Sequence, residues 1–215
     1  MSQLQQTTLH LSNSGVERRH IFSSQADFDR FEAYLYLFNA VESPRVANLF
    51  VNNRMGEIFE TGRGERLISI AAYSFTPQAF HILAKPLIEG GIGKFMQKLQ
   101  TGYTMYFNKK YARTGRLFES SYKSRALTSD DELKHYFTYV HLHPAVMFDS
   151  HWEEQKGSDF EKLAVHAMNY RYSSINEYLT SKFVITSPED FPRSITRARN
   201  MRRHIEMWRK RRKTK

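Results

Sequence analysis

Two apolar runs, Leu67 to Ser74 and Phe80 to Lys85, are separated only by a short link that contains Pro77. Runs of that length and composition read as adjacent, well-covered strands. On a strand, residues i and i+2 share a face. His81 therefore presents its imidazole beside Ala79, which offers only a methyl group. What the rest of the chain brings opposite His81 decides what the protein can do.

The surrounding pattern alternates strands and helices. Thr7 to Leu11 alternates weakly and reads as a short strand before the Asn13-Ser14-Gly15 turn. Ser24 with Asp27 resembles a helix start, and Phe28, Phe31, Leu35 and Phe38 follow at helical spacing. That helix should end near Asn39. Residues 42–66 form a long connection, with a small ordered piece expected around Val46 to Val51. After Gly90-Gly91, the stripe Ile92, Phe95, Met96, Leu99, Tyr103 and Phe107 predicts a long amphipathic helix. A strand follows around Tyr122 to Arg125. Ser129 and Glu132 then form a capping box for a helix carrying Leu133, Phe137 and Val140. Short helices are expected over about 159–168, capped by Ser158, and from Ser173 or Ser174 through Leu179.

The order predicts an α+β, ferredoxin-like sandwich: one antiparallel sheet with helices on one face. Residues 1–183 are expected to form this domain. Residues 184–215 read as a basic amphipathic helical tail, with Ile195, Ala198, Met201, Ile205 and Trp208 among arginines.

Charge bears on the partner. The net charge is +10, and residues 193–215 alone hold eleven basic side chains and one glutamate. The remaining chain is balanced, yet residues 85–125 carry nine basic and two acidic groups. Such a distribution points to a polyanion, most often nucleic acid, although a solvated tail is the plainer alternative. Lys94, Lys98, Lys109, Lys110, Arg113, Arg116, Lys123 and Arg125 are the candidates to meet phosphates. Tyr103 and Tyr111 are candidates to stack on unpaired bases, with core packing the competing role.

No apolar run nears the roughly 18 residues that a membrane helix needs, and the N-terminus lacks the pattern of a signal peptide. The chain has no cysteine, which excludes thiolate metal sites and disulfides and fits a cytoplasmic setting. A nucleotide-binding glycine loop is not evident.

His135, Tyr139 and His143 are spaced i, i+4, i+8, so they align on one helical face. A tyrosine one turn from an imidazole can serve as a nucleophile with a proton acceptor or metal ligand nearby. It can equally be a boundary tyrosine with its hydroxyl in solvent.

Pro77-Gln78-Ala79-Phe80-His81-Ile82-Leu83 resembles the Pro-Asn-His-aromatic-His-Leu-Leu signature of the HUH single-tyrosine transposases, the insertion-sequence and REP-associated enzymes. The segments 91–99 and 101–111 resemble that family's central helix, and Thr114 to Phe118 its following turn. Tyr139-Val140-His141-Leu142-His143-Pro144 is similar to its Tyr-Ile-His-Leu-Asn-Pro, and Tyr170 to Ser174 with Tyr178-Leu179 to its closing segment. The resemblance spans about residues 7 to 180.

The resemblance implies a protein that binds hairpin-bearing single-stranded DNA, as a monomer or homodimer. Strands would be cleaved and rejoined through a 5′-phosphotyrosine on Tyr139. His81 and His143 would hold a divalent metal, Mg²⁺ or Mn²⁺. Two departures stand out. Ala79 occupies the place of the first HUH histidine, and His143 that of an Asn or Gln. Glu119 is a weaker departure, where relatives often have Gln. The alternative is a metal-independent DNA-binding protein that keeps the fold without the chemistry. Sheet-based RNA binding is a third reading.

Overall fold

The computed structural model describes residues 7–42, 50, 55–155 and 157–196. The ordered piece expected around Val46 to Val51 and the basic stretch beyond Thr196 lie outside the described residues, apart from Phe50.

Four strands form one antiparallel sheet: β1 (Thr8–Ser14), β2 (Ile68–Thr76), β3 (Ala79–Pro86) and β4 (Lys123–Leu127). Their order is β2-β3-β1-β4. Helix α1 (Gln25–Leu37) connects β1 to β2, and α2 (Gly91–Lys110) connects β3 to β4. This is the ferredoxin-like arrangement expected from the sequence. Helices α3 (Asp130–Leu142), α4 (Gly157–Met168) and α5 (Ile175–Thr180) follow, and then a single turn of helix over Arg193–Thr196.

Local signals explain the helix ends. Ser24 and Asp27 form the expected capping box at α1. Ser129 Oγ accepts from the Glu132 backbone N–H at 3.2 Å, opening α3. Ser174 is the residue before α5, as expected. Helix α4 begins at Gly157, so Ser158 lies inside it instead of capping it.

The two faces of the sheet are covered differently. Phe80, Ile82 and Ala84 of β3 point into a core shared with α1 and α2. Phe31 of α1 contacts Phe75, Phe80 and Tyr103 with ring centroids 5.0, 5.2 and 4.9 Å apart. Tyr103 is fully buried, and its hydroxyl donates to Ile21 O at 2.5 Å. That placement removes it as a stacking platform. Tyr111 is also engaged inward, donating to Asp27 Oδ2 at 2.7 Å. Gly102 allows α2 to lie close to the end of α1, where an added Cβ would sit 2.6 Å from the Phe38 ring.

The helices do not all lie on one face as the sequence order predicts. Helices α3 and α5 cover the opposite face, where Leu83, Ala71 and Ala72 meet Phe137, Val140, Ile175 and Tyr178. The physical reason is visible in β2, which is buried along its whole length and thus needs cover on both sides. Phe191 and Ile195 join this second core, and Ile185 the first.

The sheet edges also differ. Phe75 N donates to Tyr172 O, Ser174 N to Tyr73 O and Ser187 N to Ile70 O, so later chain occupies the outer side of β2. Strand β4 is exposed from Lys123 to Ala126. No helix among the described residues is long and apolar enough to cross a membrane.

Candidate functional site

The alternation that sends Phe80 and Ile82 into the first core sends His81 to the opposite face, beneath α3. Helix α3 ends at Leu142 with His143 as its C-cap, and a 3₁₀ turn over His143–Met147 follows with Pro144 in its first turn. This brings β3 and the end of α3 together. The His81 and His143 ring centroids are 4.0 Å apart. Tyr139, one turn earlier, stands 5.4 Å from His81 and 5.7 Å from His143. The side chains singled out in two sequence-distant segments thus meet at one place. His135 contacts the Tyr136 ring at 5.3 Å.

A third imidazole completes the cluster. His10 of β1 lies parallel to His81, with 5.1 Å between centroids and 3° between planes. Its Nε2 is 2.9 Å from His81 Nδ1, so one of the two nitrogens donates to the other. The Tyr136 ring lies 4.8 Å and the Tyr139 ring 5.9 Å from His10. Sequence reasoning missed His10 because its partner is 71 residues away. The signal was present: Thr8, His10 and Ser12 alternate with Leu9 and Leu11. Reading it required knowing that β1 lies beside β3.

Burial keeps these imidazoles neutral. It lowers His10 to about 4, helped by the Arg125 charge, and lowers His143 to about 4, helped by His10. His81 is depressed well below its usual range by burial, then by His143 and His10. The Tyr139 phenol moves the other way, raised to about 12 by burial, then by Glu153 and Tyr136.

The donor set does not fit a preformed magnesium centre. Magnesium takes oxygen ligands in octahedral geometry, whereas these three groups offer imidazole nitrogens. Among the described residues, no three His, Asp or Glu side chains are arranged to hold an ion. His81 Nδ1 is already committed to His10. His143 Nδ1 is buried without a hydrogen-bond partner among the described residues. Ala79 lies on the opposite side of His81 from His10, since Ser14 pairs with Ala79 and Ser12 with His81.

No family model matches the sequence, and no curated protein matches it. Among solved structures, a REP-associated tyrosine transposase bound to a REP hairpin is similar at 10% identity. The match covers 87% of this chain and 91% of that one, with a TM-score of 0.46.

The eight basic residues fall into two groups. Lys98 Nζ donates to Ala40 O and Val41 O at 2.8 and 3.0 Å. Lys110 pairs with the buried Asp27 at 2.6 Å. Burial opposes the Lys110 charge, but hydrogen bonds to Asp27 and Tyr106 outweigh it and raise the ammonium above its ordinary value. Both lysines hold α2 in the fold. Lys94, Lys109, Arg116, Lys123 and Arg125 are exposed, and Arg113 is half-buried against Asn108. Arg125 lies nearest the cluster, its guanidinium 5.5 Å from the Tyr136 centroid and 3.2 Å from Glu132.

Proposed function

We propose that this chain is a DNA-binding, transposase-like protein that acts on hairpin-bearing single-stranded DNA. Tyr139 is its nucleophile. One observation carries the reading. Tyr139 and His143 from one motif and His81 from another, matched independently to the tyrosine transposase pattern, converge on the same sheet face with centroids 4.0 to 5.7 Å apart.

In the reaction, the Tyr139 oxygen bonds to the scissile phosphorus and the bond to the 3′-oxygen breaks. The phenolic proton passes to a neighbouring imidazole and ends on the departing 3′-hydroxyl. The resting site is not poised for this step. Burial raises the Tyr139 phenol and lowers the His143 imidazole, and both shifts oppose proton transfer from one to the other. An arriving phosphate changes the balance, since a negative charge beside the imidazoles favours their protonated forms. Exposed cations, with Arg125 nearest the cluster, supply the complementary charge.

The test is incubation with hairpin-flanked single-stranded oligonucleotides, with Mg²⁺, with Mn²⁺ and with EDTA. A protein–DNA adduct that survives SDS and disappears in Tyr139→Phe is expected. No adduct under any condition overturns the reading, provided that a relative with both HUH histidines reacts on the same DNA.

A second reading, metal-independent DNA binding without chemistry, is favoured by the His10–His81 hydrogen bond and the raised Tyr139. It expects steeply salt-dependent binding that ignores both EDTA and Tyr139→Phe.

A further inference from the structure

A groove of about 440 Å³ opens between α2 and the segment Arg116 to Tyr122. It lies on the sheet face opposite the histidine cluster, since α2 packs on the first core. Its volume falls in the range of small-ligand sites.

The wall chemistry suits a nucleobase. On α2, Gln97, Thr101 and Thr104 face the groove with an amide and two hydroxyls. They lie three and four residues apart and so line one side of the helix. Gln100 closes the back. It accepts from Asn13 Nδ2 at 2.5 Å and donates to Ser121 O, which fixes its amide. Among the described residues no carboxylate lines the groove, and Arg116 sits at its rim with Nη2 donating to Glu119 O. Met105 is 69% exposed beside it, and the Tyr122 ring is half-buried on the other side. An exposed thioether and a phenol give a flat base an adaptable surface to lie against.

The groove is also joined to the cluster by one stretch of chain. Tyr122 faces the groove, and the next residue, Lys123, begins β4. Successive strand residues point to opposite faces. Lys123 pairs with Ser12 and Arg125 with His10, so both cations lie on the histidine face. A strand running round the β4 edge would meet Tyr122, Lys123, Arg125 and then Tyr136 and Tyr139.

We propose that this groove takes an unpaired nucleobase of the bound DNA and so sets where the backbone crosses to Tyr139. The proposal rests on the DNA-binding reading above and adds a specificity site to it.

The experiment compares fluorescence anisotropy of three probes: a blunt DNA hairpin, the hairpin with four unpaired nucleotides on either arm, and the latter with abasic sites. Three variants are tested beside the native chain. Gly93→Trp fills the groove from a position where an added Cβ meets nothing within 4 Å. Gln97→Ala and Met105→Ala strip its wall and replace exposed helical residues with a strong helix former. The native protein should prefer the unpaired arm over the blunt hairpin by ~10-fold. Abasic sites should abolish that preference. Gly93→Trp should reduce it to within about twofold while leaving blunt-hairpin affinity unchanged, with smaller losses in the alanine variants. Ultraviolet cross-linking of 5-iododeoxyuridine in the arm should map to Tyr122 or Met105. If all three variants keep the preference, or the cross-links map elsewhere, the groove proposal is overturned and DNA binding stands. If no DNA probe binds the native chain, the functional reading falls and takes this one with it.

Discussion

The two faces of the sheet are built from the same strands and do opposite things. On β3, Phe80 and Ile82 enter a hydrocarbon core against α1 and α2, while His81, between them, enters a polar cluster beneath α3. The first face is closed by aromatic contacts such as Phe31 against Phe75, Phe80 and Tyr103. The second combines a small apolar core with three imidazoles and two phenols. The period-two alternation of a strand thus separates the apolar core from the proposed site by one residue.

The largest expected effect breaks the chemistry and leaves the fold. Tyr139→Phe should lower covalent adduct formation by ~10³-fold or more, without changing the circular dichroism spectrum. An adduct undiminished in this variant would mean that another residue attacks.

Next comes the contrast between neighbours. Phe80→Ala should cost about 3–5 kcal/mol in urea denaturation, through lost burial and the cavity left behind. His81→Ala should cost less, about 1–2 kcal/mol, mainly by stranding the His10 nitrogen. Equal losses would show that the two faces bear the fold equally.

The faces should also differ in pH response. His10 and His143 fall from 6.5 unfolded to about 4 folded. The unfolded chain therefore binds more protons between those values. Their stabilising contribution is intact above about pH 6.5 and is lost as pH drops toward 4, by about 3 kcal/mol for each group taken alone. Arg125 faces this cluster and adds to the depression of His10. On the other face, Glu32 is raised from 4.5 to about 7 by burial, despite the Tyr73 hydroxyl that donates to it at 3.1 Å. There the folded chain binds more protons, so stability falls as pH rises through the same window. The two slopes oppose each other. Glu32→Gln should raise stability at pH 7.5 by ~1–2 kcal/mol and steepen the loss below pH 6.5. His10→Asn should flatten it. Thermal melting across pH 4–8 reads both, and unchanged slopes in both variants would refute the assignment.

The smallest effect concerns the helix that carries Tyr139. Ser129→Ala removes the cap on the Glu132 N–H and should cost ~1 kcal/mol. A larger loss of adduct than of stability would show that the α3 start helps to aim Tyr139.

The fold was legible where patterns are local. The capping box at Ser24, the N-cap at Ser129 and the stripe from Ile92 to Phe107 mark helices that form where expected. The His81–His143–Tyr139 convergence was legible through motif order. Three features were not. The second helical layer depends on β2 being buried on both sides, which an apolar run alone cannot distinguish from one-sided burial. His10 joins the site through strand order, a non-local property. The structural roles of Lys98 and Lys110 depend on carbonyls and a carboxylate from segments 57 to 83 residues away, so charge count could not separate them from exposed cations.

The unequal sheet edges limit how this molecule can add to itself. The outer side of β2 is taken by its own chain, whereas the backbone groups of β4 face outward. Among the described residues, sheet extension is therefore open at one end alone. Two copies joined β4 to β4 would form a continuous eight-stranded sheet capped at both ends by β2. Growth of that kind terminates at two, which guards against the open-ended strand pairing that leads to fibres.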